Sequence, residues 1–520
     1  MITRRNTLIL ATTALAAPAI AQPAAVLRFI PQGNLNNPDP VWTTTTIARN
    51  HALMIWDSLY NTTAALEPKL QMAEGAELLD EGRTWRITLR ENLFFHDGEP
   101  VRSQDCIPSI MRWAKRRGLG QRILSQLIEM RPVNDRTFDI RMTRPYALMP
   151  LALADGCFIM PERIAKTDPF TQISEYVGSG PFRFPKDEWI SGSQAVYLKN
   201  TRYVPRQEKP DGASGGKIVH FDRVEWRIVP DPSTSAAALQ SGEVDWVEQP
   251  LFDLLPQLRK AKNVRVLRND KIGAIAMVAV NHIHPPFDNP KLRRALLPAI
   301  DQQHFMEAAY GDEKDLFRTG VGVFTPGLPM ASTVGLEPLI GPRDPALAKR
   351  LVAESGYKGE PVVLLAPSDY PDQQAFSQVM RDIMVKAGIN VDYVSTDWGT
   401  LVQRRASKSA PDKGGWNMFC TTYEGASVAN PASHFPMRGN GPDGWFGWPT
   451  DPTMETLRDQ WFEASNEADQ RKICDQMQTR AMDTVPFYPV GQRFLATAVR
   501  DSLQDVVVSS YPIFWGVKKA

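Results

Sequence analysis

Three residues in the stretch "ENLFFHDGEPV", residues 91–101, could do chemistry: His96, Asp97 and Glu99. An imidazole beside two carboxylates can hold a metal ion or move a proton. Asp97-Gly98 is also a strong turn signal, because glycine accepts positive φ, and turn chemistry of this kind is common. The turn is the favoured reading. His282 and His284, two apart in "NHIHPPF", would share a strand face and could share a metal. A strand exit beside two prolines is the stronger reading, since metal sites usually need more ligands. Ser179 in "VGSGP" lacks the glycine spacing of a nucleophile elbow, and GxxxxGK[ST] and HExxH are absent. The expectation is therefore no catalytic residue, no metal and no cofactor.

Aromatic residues are more informative. "GGWNMFCTTYEG" and "NGPDGWFGWPTD" bring Trp416, Phe419, Tyr423, Trp445, Phe446 and Trp448 close together in the chain. Trp and Tyr offer large rigid faces with a polar handle, which suits a ligand cleft as well as a core. Trp416 and Phe419, on a strand, read as core. Tyr423, at that strand's carboxyl end, and the glycine-flanked Trp445 stand evenly between core and ligand contact, because ligands of α/β sheets gather beyond strand carboxyl ends.

These residues need elements to position them. "TWRITLREN" alternates like a half-buried strand, and "FDRVEWRIV", "NVRVL" and "AIAMVAVN" read as strands too. Ser233 or Thr234 is expected to cap an Ala-rich helix that stops near Gly242. Further on, Asn289-Pro290 and Asp344-Pro345 open helices. "PVVLLA", "DQQAFSQVMRDIMVKAG" and "INVDYVS" follow in the order strand, helix, strand, a βαβ unit with a parallel sheet. The helix "WGTLVQRRAS" comes next, then the strand "WNMF".

At 520 residues the chain exceeds what one core supports, so two or more domains are expected. Charged residues are 22%, hydrophobic residues 43%, and the formal charge is +1. That balance gives no sign of a nucleic-acid partner or a polybasic membrane surface. Residues 1–21 have Arg4 and Arg5, an apolar run and "AIA" before Gln22, the layout of a cleaved export signal. The paired arginines hint at twin-arginine export, although "TRRNTL" lacks the apolar residue expected after them. No later run reaches the ~18 apolar residues needed to span a bilayer. Cys106, Cys157, Cys420 and Cys474 form no CxxC pair; disulfides and buried thiols both stay open.

Assembled, the chain resembles the family 5 extracellular solute-binding proteins, the periplasmic dipeptide- and oligopeptide-binding group of ABC importers. The resemblance rests on "LEPKLQMAEGAELLDEGRTWRITLRENLFFHDGEPVRSQDC", "VGSGPFRF", "VEWRIVPDPSTSAAALQSGEVD", "VNHIHPPFDNPKLRRALLPAID", "DPALAKRLVAESGY" and "TVPFYPVGQ", in that order along nearly the whole chain. It implies an α/β, two-lobe periplasmic binding protein fold of cluster C, joined by a two-segment hinge near "AIAMVAVN" and "VPFYPV". Lobe I would span 22–275, with an extra subdomain at about 61–174; lobe II would span 276–486; residues 487–520 would return to lobe I. It implies a monomeric receptor with a small-molecule ligand, permease partners in the inner membrane and no nucleic acid. In that family the His-Asp-Gly turn is structural. A secreted hydrolase working through cleft carboxylates, or a receptor serving a sensor protein, are the competing readings.

The resemblance also suggests a site. Peptide binders of the family carry an aromatic strand end followed by an Asp that receives the peptide's ammonium group. Here "FCTTYEGASVANP" sets Tyr423 on the aromatic and Ala426 on the Asp, with Glu424 nearby. The expected cleft is lined by Trp398, Tyr423, Trp445 and Tyr488, with Arg404 and Glu424 as its formal charges. Arg404 reads equally well as a solvated helix charge. Without the Asp, a free ammonium would lack a carboxylate unless Glu424 substitutes. Cargo could then be a blocked peptide, an opine, a sugar or another organic solute.

Overall fold

A computed structural model of the protein describes residues 25–520 other than 44, 369 and 465; the expected export signal lies outside the described residues. Two large sheets form two lobes. The first has seven strands in the order Val264–Leu267, Thr497–Arg500, Trp246–Val247, Val26–Ile30, Arg223–Arg227, Gln194–Lys199 and Phe182–Arg183. The second has six: Phe317–Arg318, Phe487–Arg493, Ala274–Val280, Met418–Glu424, Val362–Pro367 and Val391–Thr396. A separate four-stranded antiparallel sheet orders Ala73–Leu79, Thr84–Leu89, Thr137–Met142 and Leu127–Pro132. Among the described residues no helix is long and apolar enough to cross a membrane.

Sheet direction decides where a site can form. In the second sheet, Val362–Pro367 is parallel to both Val391–Thr396 and Met418–Glu424. Ala274–Val280 is antiparallel to Met418–Glu424 and to Phe487–Arg493, so Ala274 pairs with Glu424 on one side and Arg493 on the other. The chain therefore enters from the first lobe before Ala274 and leaves after Arg493 at a single edge. That edge also holds the carboxyl ends of the three parallel strands, where α/β sheets bind ligands. The first sheet mirrors this: Leu267 pairs with Thr497, and Ile30 with Val247, at its own crossing edge.

The strand Phe487–Arg493 thus belongs to the second sheet, not to the return segment expected from 487. The crossings lie at 268–273 and 494–496, just outside "AIAMVAVN" and "VPFYPV", which are interior strands. Ala274–Val280 is almost wholly buried, as the middle of a covered sheet requires. Gly425 is needed at this edge: its N–H donates to the Gly273 carbonyl at 2.8 Å, and a Cβ there would lie 2.8 Å from that same oxygen.

Local capping follows the sequence with one exception. Asn289 and Asp344 cap their helices as expected. The helix Pro232–Ser241 is capped by Asp231 rather than by Ser233 or Thr234; its carboxylate accepts from the Thr234 N–H at 2.7 Å, and Pro232 takes the first helical position. The last segment returns to the first lobe and buries Phe514 and Trp515 completely, Phe514 edge-on to Phe29 at 5.0 Å. Each such aromatic contributes roughly 1.5–3 kcal/mol of burial. All four cysteines are buried and unpaired.

The His96 turn is a stitch between segments. The Gly98 N–H donates to the Phe95 carbonyl at 2.9 Å with Gly98 at φ +97°, closing the turn, and Asp97 pairs with Arg163 at 2.8 Å. His96 Nδ1 accepts from the Gly178 N–H at 3.2 Å, leaving Nε2–H to donate to the Gly180 carbonyl at 3.1 Å. Gly180 in turn donates to the carbonyl of Ile55 at 2.7 Å, the end of the helix Thr46–Ile55. A Cβ at Gly178 would lie 2.1 Å from that carbonyl oxygen. His284 Nε2 lies 2.8 Å from the Lys408 carbonyl, and His282 Nε2 lies 3.3 Å from that of Pro486, so the two rings serve different backbone partners.

Two outcomes follow. His96→Ala should cost about 1–3 kcal/mol of stability, the usual cost of orphaned buried hydrogen-bonding groups, with solute affinity changed less than threefold; denaturant titration and calorimetry check both. Burial also keeps His51, His96 and His434 neutral, lowering them to about 3, about 4 and about 4. Unfolded, they protonate near ~6.5. Between those values the unfolded chain binds more protons, so stability falls as pH falls. Glu248, raised by burial to about 7, works in the opposite direction, as do Asp105 and Asp155, also raised by burial, while His282, lowered by burial to about 3, adds a fourth imidazole to the other side. The melting temperature should therefore drop between about pH 6.5 and 4, and drop less in His51→Gln; a flat profile would refute the account.

Candidate functional site

The first lobe faces the shared edge of the second sheet with the helix Thr46–Ile55. Its sequence, "TIARNHALMI", is apolar apart from a few residues, and Arg49 is its one formal charge besides the buried, neutral His51. Glu424, at the carboxyl end of the strand Met418–Glu424, meets it from the other lobe. The Arg49 guanidinium donates to both carboxylate oxygens, at 3.0 and 3.1 Å, and the Thr46 hydroxyl donates at 2.8 Å. Bidentate geometry makes this the strong form of an ion pair, and the helix N-terminus adds a favourable dipole. Arg49 lies over the Tyr511 ring at 4.0 Å, so the returning C-terminal segment also grips it.

The neighbouring Arg49 charge, opposed by burial and helped by the Arg49 and Thr46 hydrogen bonds, lowers the Glu424 carboxyl to about 2. Its side chain nonetheless keeps 44% of its surface and Arg49 keeps 25%. The carboxylate is enclosed by protein yet reached by cleft solvent, which screens the pair. Three peripheral ion pairs also cross the cleft: Arg122–Asp459 at 3.5 Å, Arg144–Glu463 at 2.7 Å and Arg259–Glu313 at 2.5 Å. The cores of the four-stranded and six-stranded sheets run together into one buried cluster. The lobes are closed on each other.

Beside the Arg49–Glu424 pair lies a cavity of about 440 Å³, within the ~300–1,000 Å³ of small-molecule sites. The first lobe and its four-stranded subdomain contribute Arg49, Leu53, Arg117, Leu148, Leu151, Asp155 and Tyr511; the second lobe contributes Leu328, Met330, Ala426, Asn430 and Trp461. Most of the wall is apolar. Ala426, the position set on the family's Asp, does line the cavity, so the acid is missing in space as well as in sequence.

The six residues expected in the cleft fare differently, and none is among the cavity's lining residues. Glu424 lies in the cleft but is consumed by Arg49 and Thr46, so it is not a free receptor for an ammonium group. Tyr488 is a core residue, fully buried, its hydroxyl donating to the Arg293 carbonyl at 2.7 Å; alternation along a central strand turns it inward. Arg404 donates to the carbonyls of Gly414 and Gly415 at 2.9–3.2 Å, pinning a loop. Its neighbour Arg405 faces the aromatic residues instead, 4.5 Å from the Phe446 ring and 5.3 Å from Trp398. Trp398 also packs beside Tyr370 at 5.2 Å. Trp445 and Tyr423 meet edge-on at 5.8 Å, both half-buried at the strand end. Trp398, Trp445 and Phe446 form a satellite cluster against Trp416, Phe419 and Trp448; Trp416 and Phe419 are buried as expected, and Trp448 is buried with them, while Tyr423 packs against the main core.

Sequence reasoning missed Arg49, Arg117, Asp155 and Tyr511. Two of them had a signal: Arg49 and Asp155 are single charges inside apolar runs, "TIARNHALMI" and "LALADGCFIM", where an isolated charge is costly unless it has a partner or a task.

Comparisons with known proteins agree on one group. Residues 67–444 match the model of the bacterial extracellular solute-binding proteins, family 5 Middle. A probable peptide ABC transporter periplasmic-binding protein of Sinorhizobium fredii is 36% identical over 94% of this chain and 92% of its own length. Among solved structures, the binding protein AgaA in complex with agropinic acid, from Agrobacterium tumefaciens R10, superposes with a TM-score of 0.77 at 22% identity, covering 95% of this chain and 99% of its own. A dipeptide-binding protein of Pseudoalteromonas in complex with Met-Leu gives 0.77 at 18%, covering 95% and 100%.

Glu424→Gln should loosen the closed lobes. The unliganded protein should show a larger radius of gyration in solution scattering, while its melting temperature moves little, because the pair joins lobes rather than building either core. An unchanged radius would remove the pair from the closure account.

Proposed function

The chain belongs to the bacterial extracellular solute-binding proteins, family 5, and on that footing we propose that it captures a small organic solute between its lobes and delivers it to the permease of an ABC importer. The observation that carries this reading is the cavity itself: it is of small-molecule size, and both lobes line it. The family is periplasmic, and the export signal read in residues 1–21, of twin-arginine or general secretory type, fits that compartment. The protein acts as a monomer and does no chemistry on its cargo.

The mechanism follows from the topology. The lobes are joined only through 268–273 and 494–496 and the contacts across the cleft, so opening and closing is a two-state motion about those segments. A solute that touches Leu53 and Asp155 on one side and Met330 and Asn430 on the other exists fully bound only in the closed form. It therefore biases the equilibrium by its differential affinity. The permease would read the closed form. The relatives' names mention peptides, agropinic acid and Met-Leu, and the mixed apolar and charged wall supports a peptide-like or opine-like cargo over a bare sugar.

Native mass spectrometry of protein purified without denaturation should show a bound solute. After the solute is stripped and restored, the radius of gyration should fall. Identical scattering with and without saturating solute would overturn the receptor reading.

A further inference from the structure

The charges that line the cavity can be paired off one by one. Arg49 is held by Glu424. Glu67 pairs with Lys69 at 3.1 Å and Glu467 with Arg471 at 4.0 Å, both acids well exposed at the rim. Two charges remain without an ion pair among the described residues, Asp155 and Arg117. Asp155 follows the helix Met149–Ala154 and is fixed from behind: its backbone carbonyl accepts from Trp113 Nε1 at 2.8 Å. Its carboxylate makes no hydrogen bond among the described residues and is open to the cavity. Arg117 donates to the Pro40 carbonyl at 3.2 Å, while its Nε is buried without a partner.

We propose that Asp155 receives a protonated nitrogen of the solute, with Arg117 facing an acceptor group such as a carboxylate or carbonyl; this rests on reading the cavity as the solute site. The physical ground is desolvation. A solute that fills this largely apolar space displaces the water around Asp155. A carboxylate left there without a donor would cost more than the contacts return, unless the solute itself supplies a cation or strong donors. The same argument applies in reverse to Arg117. Arg49 does not answer the need of Asp155: its hydrogen bonds and ion pair go to Glu424, and among the described residues neither a hydrogen bond nor an ion pair joins it to Asp155. The free ammonium that Ala426 and the occupied Glu424 cannot bind from the second lobe thus finds its carboxylate on the first.

The environment of Asp155 is consistent with this role. Asp155 is exposed to cavity solvent, yet the protein packed around it raises its carboxyl above the ordinary carboxylate range, with Arg117 and Arg49 pulling the other way, and a bound cation would reverse that rise. Because burial costs the carboxylate more than Arg117 and Arg49 return to it, Asp155→Asn should leave the unliganded melting temperature unchanged or slightly higher. The variant is then a clean probe of binding.

The test uses two pools of probes with the full mature protein stripped of solute: dipeptides and other primary-amine carboxylic acids, and the same compounds N-acetylated. Calorimetry should show binding of members of the first pool and at least a tenfold weaker binding of their acetylated forms. In Asp155→Asn that preference should vanish, with Asp155→Glu retaining part of it. Acetylated compounds bound as tightly as amines, or an unchanged preference in Asp155→Asn, would overturn the inference while leaving the receptor reading intact. So would a co-purified solute without a basic nitrogen. Failure of both pools would also overturn it, and the receptor reading would then stand or fall on the scattering experiment alone.

Discussion

The structure depends on one topological constraint: both passages between the lobes leave the second sheet at the same edge. Ala274 and Arg493 are paired neighbours there, and Glu424 lies on the other side of Ala274. An antiparallel pair carrying the chain in and out must face the first lobe. The parallel strands Val362–Pro367, Val391–Thr396 and Met418–Glu424 are registered to that pair, so their carboxyl ends face the first lobe too. Cleft, hinge and site therefore share one edge by construction. The close approach at Gly425 and Gly273 shows how little space the arrangement leaves, since any side chain at Gly425 would meet the crossing segment's backbone.

On that edge the electrostatics are arranged from both sides. The helix Thr46–Ile55 is positioned at its far end by the glycine loop 178–180, which His96 holds. Its near end presents Arg49 and Thr46 to Glu424. A turn that resembles a reaction centre in sequence is thus part of the support for the cleft, several bonds removed from it. Tyr511 completes the grip and ties the C-terminal segment to the same guanidinium. A side chain held by both Glu424 and Tyr511 has little freedom left to reorganise around cargo, which makes Arg49 a fixed wall. The variable part of recognition is left to Asp155, Arg117 and the apolar lining.

Much of the fold was legible because its signals are local. The βαβ unit, the Asn289 and Asp344 caps and the strand of Trp85 follow from periodicity and capping chemistry over a few residues. The second crossing was misplaced because "FYPVGQ" reads as a strand whichever sheet takes it; only pairing with Ala274–Val280 decides, and that is a long-range fact. Tyr488 was misread for the same reason: its inward orientation is set by register against a strand two hundred residues away. Arg404 and Arg405 show a different limit. Adjacent on one helix, they point about 100° apart, and sequence does not say which meets the aromatic residues and which meets the carbonyls of Gly414 and Gly415. The cavity's charges come from segments far apart in the chain, so only the lone-charge signal of Arg49 and Asp155 was within reach.

The strength of the pair across the cleft bears on whether such a receptor can work at all. Two unit charges at contact distance interact by about 1 kcal/mol in water and about 4 kcal/mol at an effective dielectric of 20. The partial exposure of Glu424 and Arg49 puts this pair toward the lower figure, and ordering two side chains offsets part of it. Turning a two-state equilibrium from mostly open to mostly closed takes roughly 5.5 kcal/mol of differential affinity. The pair is therefore too weak to close the empty protein decisively, yet well enough placed to select one closed geometry. Most of the closing free energy must come from the solute, through apolar surface buried against both lobes and through the charges left unpaired in the cavity. A stronger, fully buried pair would hold the lobes shut without cargo and erase the difference that the permease has to read.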